Sequence, residues 1–391
     1  MKIAIIGKGT ASIVTALTCI KNNHEVDIYY DPNQPHISVG ESTTPHVAQL
    51  IYEILGLNIF DLIEEDIASI KQGIKFINWG NGTSFKHIFQ NNQIAFHFET
   101  QKFNPFINNI LEQNNYIKYI PKRVNEYRID EDKVYIEDEC YDFIIFCSGW
   151  CNESEYIKPY FETVNSGVLF TDEKINEYGF TLHNATEDGW QFGLPFPNKN
   201  ITKCGYLFDR NKISIDKVKK KLKHLEIKNS YEWTPKFSKK IIQNQHIAYN
   251  GNKLFFLEPL QALSIYYFIE FANFICEYLK DRSVENFCKI NKNYHYEMWT
   301  YQLSLAYHYQ YGSIYDSNFW NITKKKAKEF MSFTINGNEE LLLSHMVNDI
   351  ILKGKTDLSK IGIFGFDDIR QLHCGMTQTK INDIFEKYLT I

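Results

Sequence analysis

The sequence has no apolar run of the roughly 18 residues that a membrane-spanning helix needs. Its longest candidate, Ile265 to Leu279, is interrupted by Glu270 and Glu277. It has no long basic run either. Lys219-Lys220-Lys221 and Lys324-Lys325-Lys326 read as solvated helix faces, and the formal net charge is -5. Neither a membrane nor a nucleic acid is expected as a partner. The eight cysteines, at 19, 140, 147, 151, 204, 276, 288 and 374, are scattered. Cys147 and Cys151 lie close together, but no second pair completes a zinc site, so reduced thiols in a cytoplasmic protein without a metal are expected. The first strand pattern begins at residue 2, which leaves no room for a signal peptide ahead of it. Internal repeats and low-complexity segments are lacking too.

What is present begins at the first residues. Lys2-Ile3-Ala4-Ile5-Ile6 is an apolar β-type run. It enters Gly7-Lys8-Gly9-Thr10-Ala11-Ser12 and leaves as a helical pattern up to Ile20. Gly7 permits a tight turn, Gly9 lets backbone approach a pyrophosphate, and the helix start offers N–H groups and a positive dipole end to that anion. Ser12 takes the third glycine position. A second β-like run, Val26 to Tyr30, ends at Asp31, where an acid usually meets a ribose hydroxyl. A dinucleotide site is the favoured reading. The other reading is a tight βα turn with no ligand.

Further along, Ser38 to Pro45 reads as a capped or ligand-touching loop before a helix over Val47 to Leu55. Ile74 to Trp79 alternates as a strand, with Lys75, Ile77 and Trp79 on one face. Phe85 to Phe89 and Ile94 to Phe98 join it in a small antiparallel sheet. Tyr141 to Phe146 reads as a buried strand ending in Cys147-Ser148-Gly149, small residues where backbone approaches a cofactor. Segments between 160 and 250 alternate as strands of a substrate lobe. Beyond Val284 the chain reads as helical, and the aromatics between Tyr294 and Trp320 read as core.

Taken in order, these stretches resemble the flavin-dependent halogenases typified by tryptophan halogenases. Gly7 to Ala11 looks like their G-x-G-T-A loop, and Val39 to Pro45 like their V-G-E-A-T-x-P loop. Ile74 to Trp79 looks like the segment carrying their active-site lysine. Cys147-Ser148-Gly149 is similar to their C-S-G. Gly189 to Pro195 is similar to G-W-x-W-x-I-P, with Phe192 for the second Trp and Leu194 for Ile. Gly205 to Phe208, Glu258-Pro259-Leu260 and Tyr315 to Trp320 match later motifs in family order.

The resemblance implies an α/β fold: a Rossmann-like FAD module, an inserted antiparallel substrate lobe and a helical C-terminal part. The expected boundaries are 1–80 with 100–155 and 245–285, then 81–99 with 156–244, then 286–391. It implies an enzyme that uses reduced FAD, oxygen and a halide to make hypohalous acid. That acid halogenates an electron-rich aromatic, indole- or phenol-like, at Lys75. A separate flavin reductase would supply the reduced FAD, and a homo-oligomer is left open. The FAD-contacting residues would be Gly7, Gly9, Thr10, Ala11, Ser12, Asp31, Val39, Gly40, Glu41, Ser42, Thr43, Ser148, Gly149, Trp190 and Leu257. After E-P-L the family has Glu-Ser-Thr-Gly, whereas this chain has Gln261-Ala262-Leu263-Ser264. The catalytic glutamate therefore falls on Gln261, leaving Glu258 as the nearby carboxylate, and the halide cradle falls on Leu263 and Ser264. A flavin monooxygenase or oxidase of the same fold, and a flavin-binding protein without turnover, are the other readings.

Overall fold

Ile3, Ala4 and Ile5 are wholly buried, as expected of a central parallel strand covered on both faces. The computed structural model describes residues 1–34, 40–148, 155–174, 177–334 and 363–380. Its contacts fall into two units. The first comprises residues 1–70, 95–158 and 235–296, and the second residues 71–94, 159–234 and 297–391.

In the first unit a six-stranded sheet runs in the order Ile242–Asn244, Ile247–Tyr249, Phe143–Phe146, Lys2–Ile6, Glu25–Tyr29 and Ile117–Ile120. The strands are parallel except the first pair. The helix Thr10–Lys21 follows the first strand and is buried from Thr10 to Cys19. Two of its buried hydroxyls are satisfied within it: Thr15 and Thr18 donate to the carbonyls of Ala11 (2.6 Å) and Val14 (2.8 Å). It packs on the helix Ser264–Lys280. Asn250, fully buried, ties the two by donating to Thr15 Oγ1 (2.9 Å) and the Phe268 carbonyl (2.8 Å).

The second unit is built on a seven-stranded sheet in the order Glu226–Glu232, Ser166–Asp172, Ile201–Phe208, Gly189–Phe196, Phe180–Thr186, Gly73–Ile77 and Ser84–Ile88. Only the pairing of Phe180–Thr186 with Gly73–Ile77 is parallel. The C-terminal helix Phe366–Thr377 lies along the edge strand, where Ile88 and Gln371 exchange two hydrogen bonds (2.9 and 3.1 Å). Gly375 allows that approach, since a Cβ there would come within 2.2 Å of the Phe85 ring.

Two expectations are corrected. The strand Ala95–Glu99 does not join the sheet of Gly73–Ile77. It pairs with Gly40–Ser42, in a three-stranded sheet that also holds Ala68–Lys71. Trp79 does not share the face of Lys75 and Ile77. Asn78 takes a left-handed conformation (φ 62), which breaks the alternation and turns Trp79 into the core. There it meets Trp190, Tyr309 and Trp320 at centroid distances of 6.2, 5.4 and 5.0 Å. Tyr294, Tyr301, Tyr307, Tyr309 and Trp320 are all buried, as core aromatics should be.

Candidate active site

The opening turn is closed by small side chains. Gly7 has φ +131, and a Cβ on it would lie 2.8 Å from Ser12 Oγ and 3.2 Å from Ser148 Cβ. Ser12 thus fills the floor beneath Gly7, and Ser148 brings the end of the strand Phe143–Phe146 against the turn. Gly9 caps the helix Thr10–Lys21, and the space where its Cβ would be has no atom within 4 Å. An open position above a helix N-terminus, walled by short side chains, fits a pyrophosphate. Ala11 is small for a visible reason: Gly251 (φ +63) approaches so closely that a Cβ there would meet Ala11 Cβ at 2.5 Å.

Other expected cofactor residues gather in the same unit. Asp31 accepts from the Asn33 amide (2.9 Å) and lies 3.9 Å from Arg123 Nη1. Thr43 is buried and bonds both ways to the Phe96 backbone, at 2.8 and 3.0 Å, which fastens the loop to its neighbouring strand. Ser42 is buried beside it. Glu41 accepts from Thr100 Oγ1 (3.2 Å), and burial pushes its carboxyl up to about 7 against the pull of the Thr100 and Thr10 hydroxyls. Val39 and Gly149 lie outside the described residues.

Leu257, Glu258 and Gln261 are buried in the turn before the helix Ser264–Lys280. Gln261 (φ 64) and Ala262 (φ 58) are both left-handed, a costly conformation for residues with a Cβ. Leu263 returns to the right-handed region, and no side chain caps the helix. The first backbone N–H groups of a helix have no intrahelical acceptor, so this uncapped helix start is suited to an anion. Replacing Thr-Gly by Leu263-Ser264 leaves these backbone donors in existence.

The second unit holds the lysines. Lys75 is not buried. Ile74 and Phe76, its sequence neighbours, point to the core because a strand alternates, and Lys75 points the other way. Its side chain is 26% exposed and its Nζ donates to Glu177 Oε2 at 2.6 Å, while Lys86 takes Oε1 of the same carboxylate (3.1 Å). On the Lys75 face of the sheet a cleft of about 590 Å³ is lined by Ile77, Phe170, Leu182, Asn184, Gln191 and Tyr206 among others.

Lys71, which the sequence analysis did not single out, stands in a different environment. It ends the strand Ala68–Lys71, has no solvent-exposed area, and carries its Nζ 5.2 Å from the centre of the Phe89 ring. Burial pushes its amine down to about 7. A signal was available in the mostly apolar approach Ile67-Ala68-Ser69-Ile70. Trp190 also lies in this unit, fully buried, 4.8 Å from the His183 ring and 6.2 Å from Trp79. Among the described residues no group of three metal-ligating side chains occurs, and no helix is long and apolar enough to cross a membrane.

Comparison with known proteins agrees with this architecture. The chain is similar to a tryptophan halogenase of Shewanella frigidimarina, with a TM-score of 0.77 at 16% identity over 100% of this chain and 94% of the other. It is also similar to a flavin-dependent halogenase of a Brevundimonas species, with a TM-score of 0.75 at 15% identity over 100% and 94%. In sequence, it is 34% identical over 80 residues to a tryptophan 6-halogenase of Streptomyces albogriseolus and 35% identical over 89 residues to a tryptophan 7-halogenase of Lentzea aerocolonigenes. These matches span 20% and 21% of this chain but only 15% and 17% of those relatives. The family model for tryptophan halogenase matches residues 2–94 and 89–336. By that match the chain belongs to the tryptophan halogenase family.

Proposed function

We propose that this protein is a flavin-dependent halogenase that acts on an electron-rich aromatic ring, with Lys71 rather than Lys75 as the reactive lysine. One observation carries the assignment: Lys71 is wholly buried and its amine is pushed down to about 7. A lysine reacts through its lone pair, and only desolvation or a neighbouring charge makes that lone pair available near neutral pH. Lys75 is held in an ion pair with Glu177 instead.

Reduced FAD, when bound, supplies with oxygen and a halide the hypohalous acid that the reaction consumes. Gly7, Gly9, Ser12 and Ser148 shape the pyrophosphate cradle, and Asp31 serves the ribose. Glu41, Ser42 and Thr43 hold the loop beside the cofactor. The backbone N–H groups of Leu263 and Ser264 hold the halide. Trp190 is buried against His183 and Trp79, which supports a role in keeping water from the lysine rather than a stacking role. The neutral Lys71 amine engages the hypohalous acid beside the aromatic ring. Gln261 orients by hydrogen bonding but offers no carboxylate base. Because Gln261 replaces that base, a flavin monooxygenase without halogenation is the second reading. A separate flavin reductase is the proposed partner.

The test supplies FAD, a flavin reductase, NADH and bromide with indole and phenol, and reads product mass. A bromine mass shift supports the halogenase. An oxygen shift in its place supports the monooxygenase, and bound FAD with neither product removes both.

A further inference from the structure

Three buried histidines are not used by the reaction above: His87 and His183 on strands of the seven-stranded sheet, and His308 on the helix Val284–Tyr309, whose ring lies 5.6 Å from that of Phe76. His87, His183 and His308 are 2%, 1% and 1% exposed. Two have hydrogen-bond partners. His87 Nε2 lies 2.9 Å from Asp368 Oδ1, and His308 Nδ1 lies 2.7 Å from the Ser304 carbonyl. His183 is different, because its buried Nδ1 has no hydrogen-bond partner.

Strand register explains how the ring came to be there. His183 lies opposite Phe76 on one side and Phe192 on the other. Its neighbours Leu182 and Asn184 point into the outer cleft, so His183 points inward. The ring meets two aromatic rings, Phe76 at 5.3 Å, edge-on (87°), and Trp190 at 4.8 Å. Burial, together with the charges of Lys71, His308 and His87, disfavours the imidazolium. His183 is therefore a neutral imidazole, and with the proton on Nε2 its Nδ1 is a lone-pair acceptor. An unmet buried acceptor is costly, which points to a partner that arrives with the ligand.

We infer that His183 Nδ1 accepts the ring proton lost when the aromatic substrate is halogenated beside Lys71, a task the amide of Gln261 cannot perform. The inference rests on Lys71 as the reactive amine. As the carbon–halogen bond forms, the oxygen–halogen bond of hypohalous acid breaks. The C–H electron pair returns to the ring and its proton passes to Nδ1. From there the proton joins the departing hydroxide as water. A weakly basic imidazole suffices, since the protonated ring is a strong acid.

The experiment uses indole, bromide, FAD, NADH and a flavin reductase with the full chain and with His183→Phe, which keeps the ring packing, and His183→Gln, which returns an acceptor. His183→Phe is expected to form bromoindole about a hundredfold more slowly, with partial rescue by His183→Gln. Indole deuterated on its ring carbons should react like ordinary indole in the unmodified protein and about twofold slower in His183→Phe. Independently of turnover, nitrogen NMR of the FAD-free protein should give an unprotonated Nδ1 for His183 from about pH 5 to 8 that shifts when indole is added. A His183→Phe variant with full rate and no isotope effect overturns the inference, as does an Nδ1 signal that is protonated or indifferent to indole. If the unmodified protein forms no bromoindole, or if Lys71→Ala forms it unimpaired, the functional reading fails and the role of His183 falls with it. Loss in Lys71→Ala without loss in His183→Phe removes the role of His183 alone.

Discussion

Lys71 and Lys75 lie at the end of one strand and the middle of the next, yet their environments are opposite. Lys71 has no exposed area and its amine is pushed down to about 7. Lys75 stands on the outer face of its strand and donates to Glu177 at 2.6 Å. On the function proposed above, the reactive group is chosen by burial rather than by its place in a sequence motif.

A pH dependence follows for the reaction. The Lys71 ammonium is disfavoured by burial, so the neutral amine predominates only above about 7. Bromoindole formation should climb between about pH 6 and 8 with a midpoint near 7. The check is a rate profile at saturating FAD and bromide. A flat profile across that window contradicts the role of the amine.

Glu41 sets a pH dependence of stability with the opposite sign to an ordinary ion-paired acid. Its carboxyl titrates at about 7 in the fold against about 4.5 in the unfolded chain. Between those values the unfolded chain binds fewer protons, so stability falls as pH rises. Glu41→Gln removes this loss. The Tm advantage of the variant should be small at about pH 5 and grow by a few degrees by about pH 8. Thermal melts of both proteins at the two pH values measure it, and a constant difference would refute it.

Ala262 stores backbone strain at φ 58. Ala262→Gly relieves it, offset in part by the greater freedom glycine gives the unfolded chain. The expected gain is about 0.5–1 kcal/mol, read as a shift in denaturant midpoint. A destabilised variant would mean that the methyl group packs more than the strain costs.

Ser264 tests the backbone halide site. Ser264→Ala should leave the bromide requirement within about twofold, because the donors are main-chain N–H groups. Ser264→Asp adds a carboxylate at the same helix start, where the dipole tolerates it structurally but bromide must compete with it. The bromide concentration for half-maximal rate should rise at least about tenfold. Equal bromide curves for Ser264→Asp and the unmodified protein would place the halide elsewhere.

Much of this was legible in the sequence, for reasons that can be named. The turn at Gly7 and Gly9 stood out because an uninterrupted apolar strand, a glycine turn and a helix follow one another within a single local unit. The strands from Ser166 to Phe208 were legible by their period. Lys75 is half-buried rather than buried because apolar neighbours on either side of a strand residue occupy the opposite face. Lys71 escaped notice because its strand is short and its burial comes from the fold around it. His183 was invisible for a different reason: it sits at an inward position of an alternating strand, where the period marks burial but no chemical role. Trp79 departed from its expected face through one left-handed residue, Asn78.

The central claim is tested most directly by bromoindole formation in Lys71→Ala and Lys75→Ala, measured side by side with FAD, a flavin reductase, NADH and bromide. The structure predicts a loss of at least about a hundredfold in Lys71→Ala and a rate within about threefold of normal in Lys75→Ala. Folding of each variant is checked by its Tm. A Lys71→Ala protein that folds and still brominates indole at full rate, with Lys75→Ala inactive, would contradict the account.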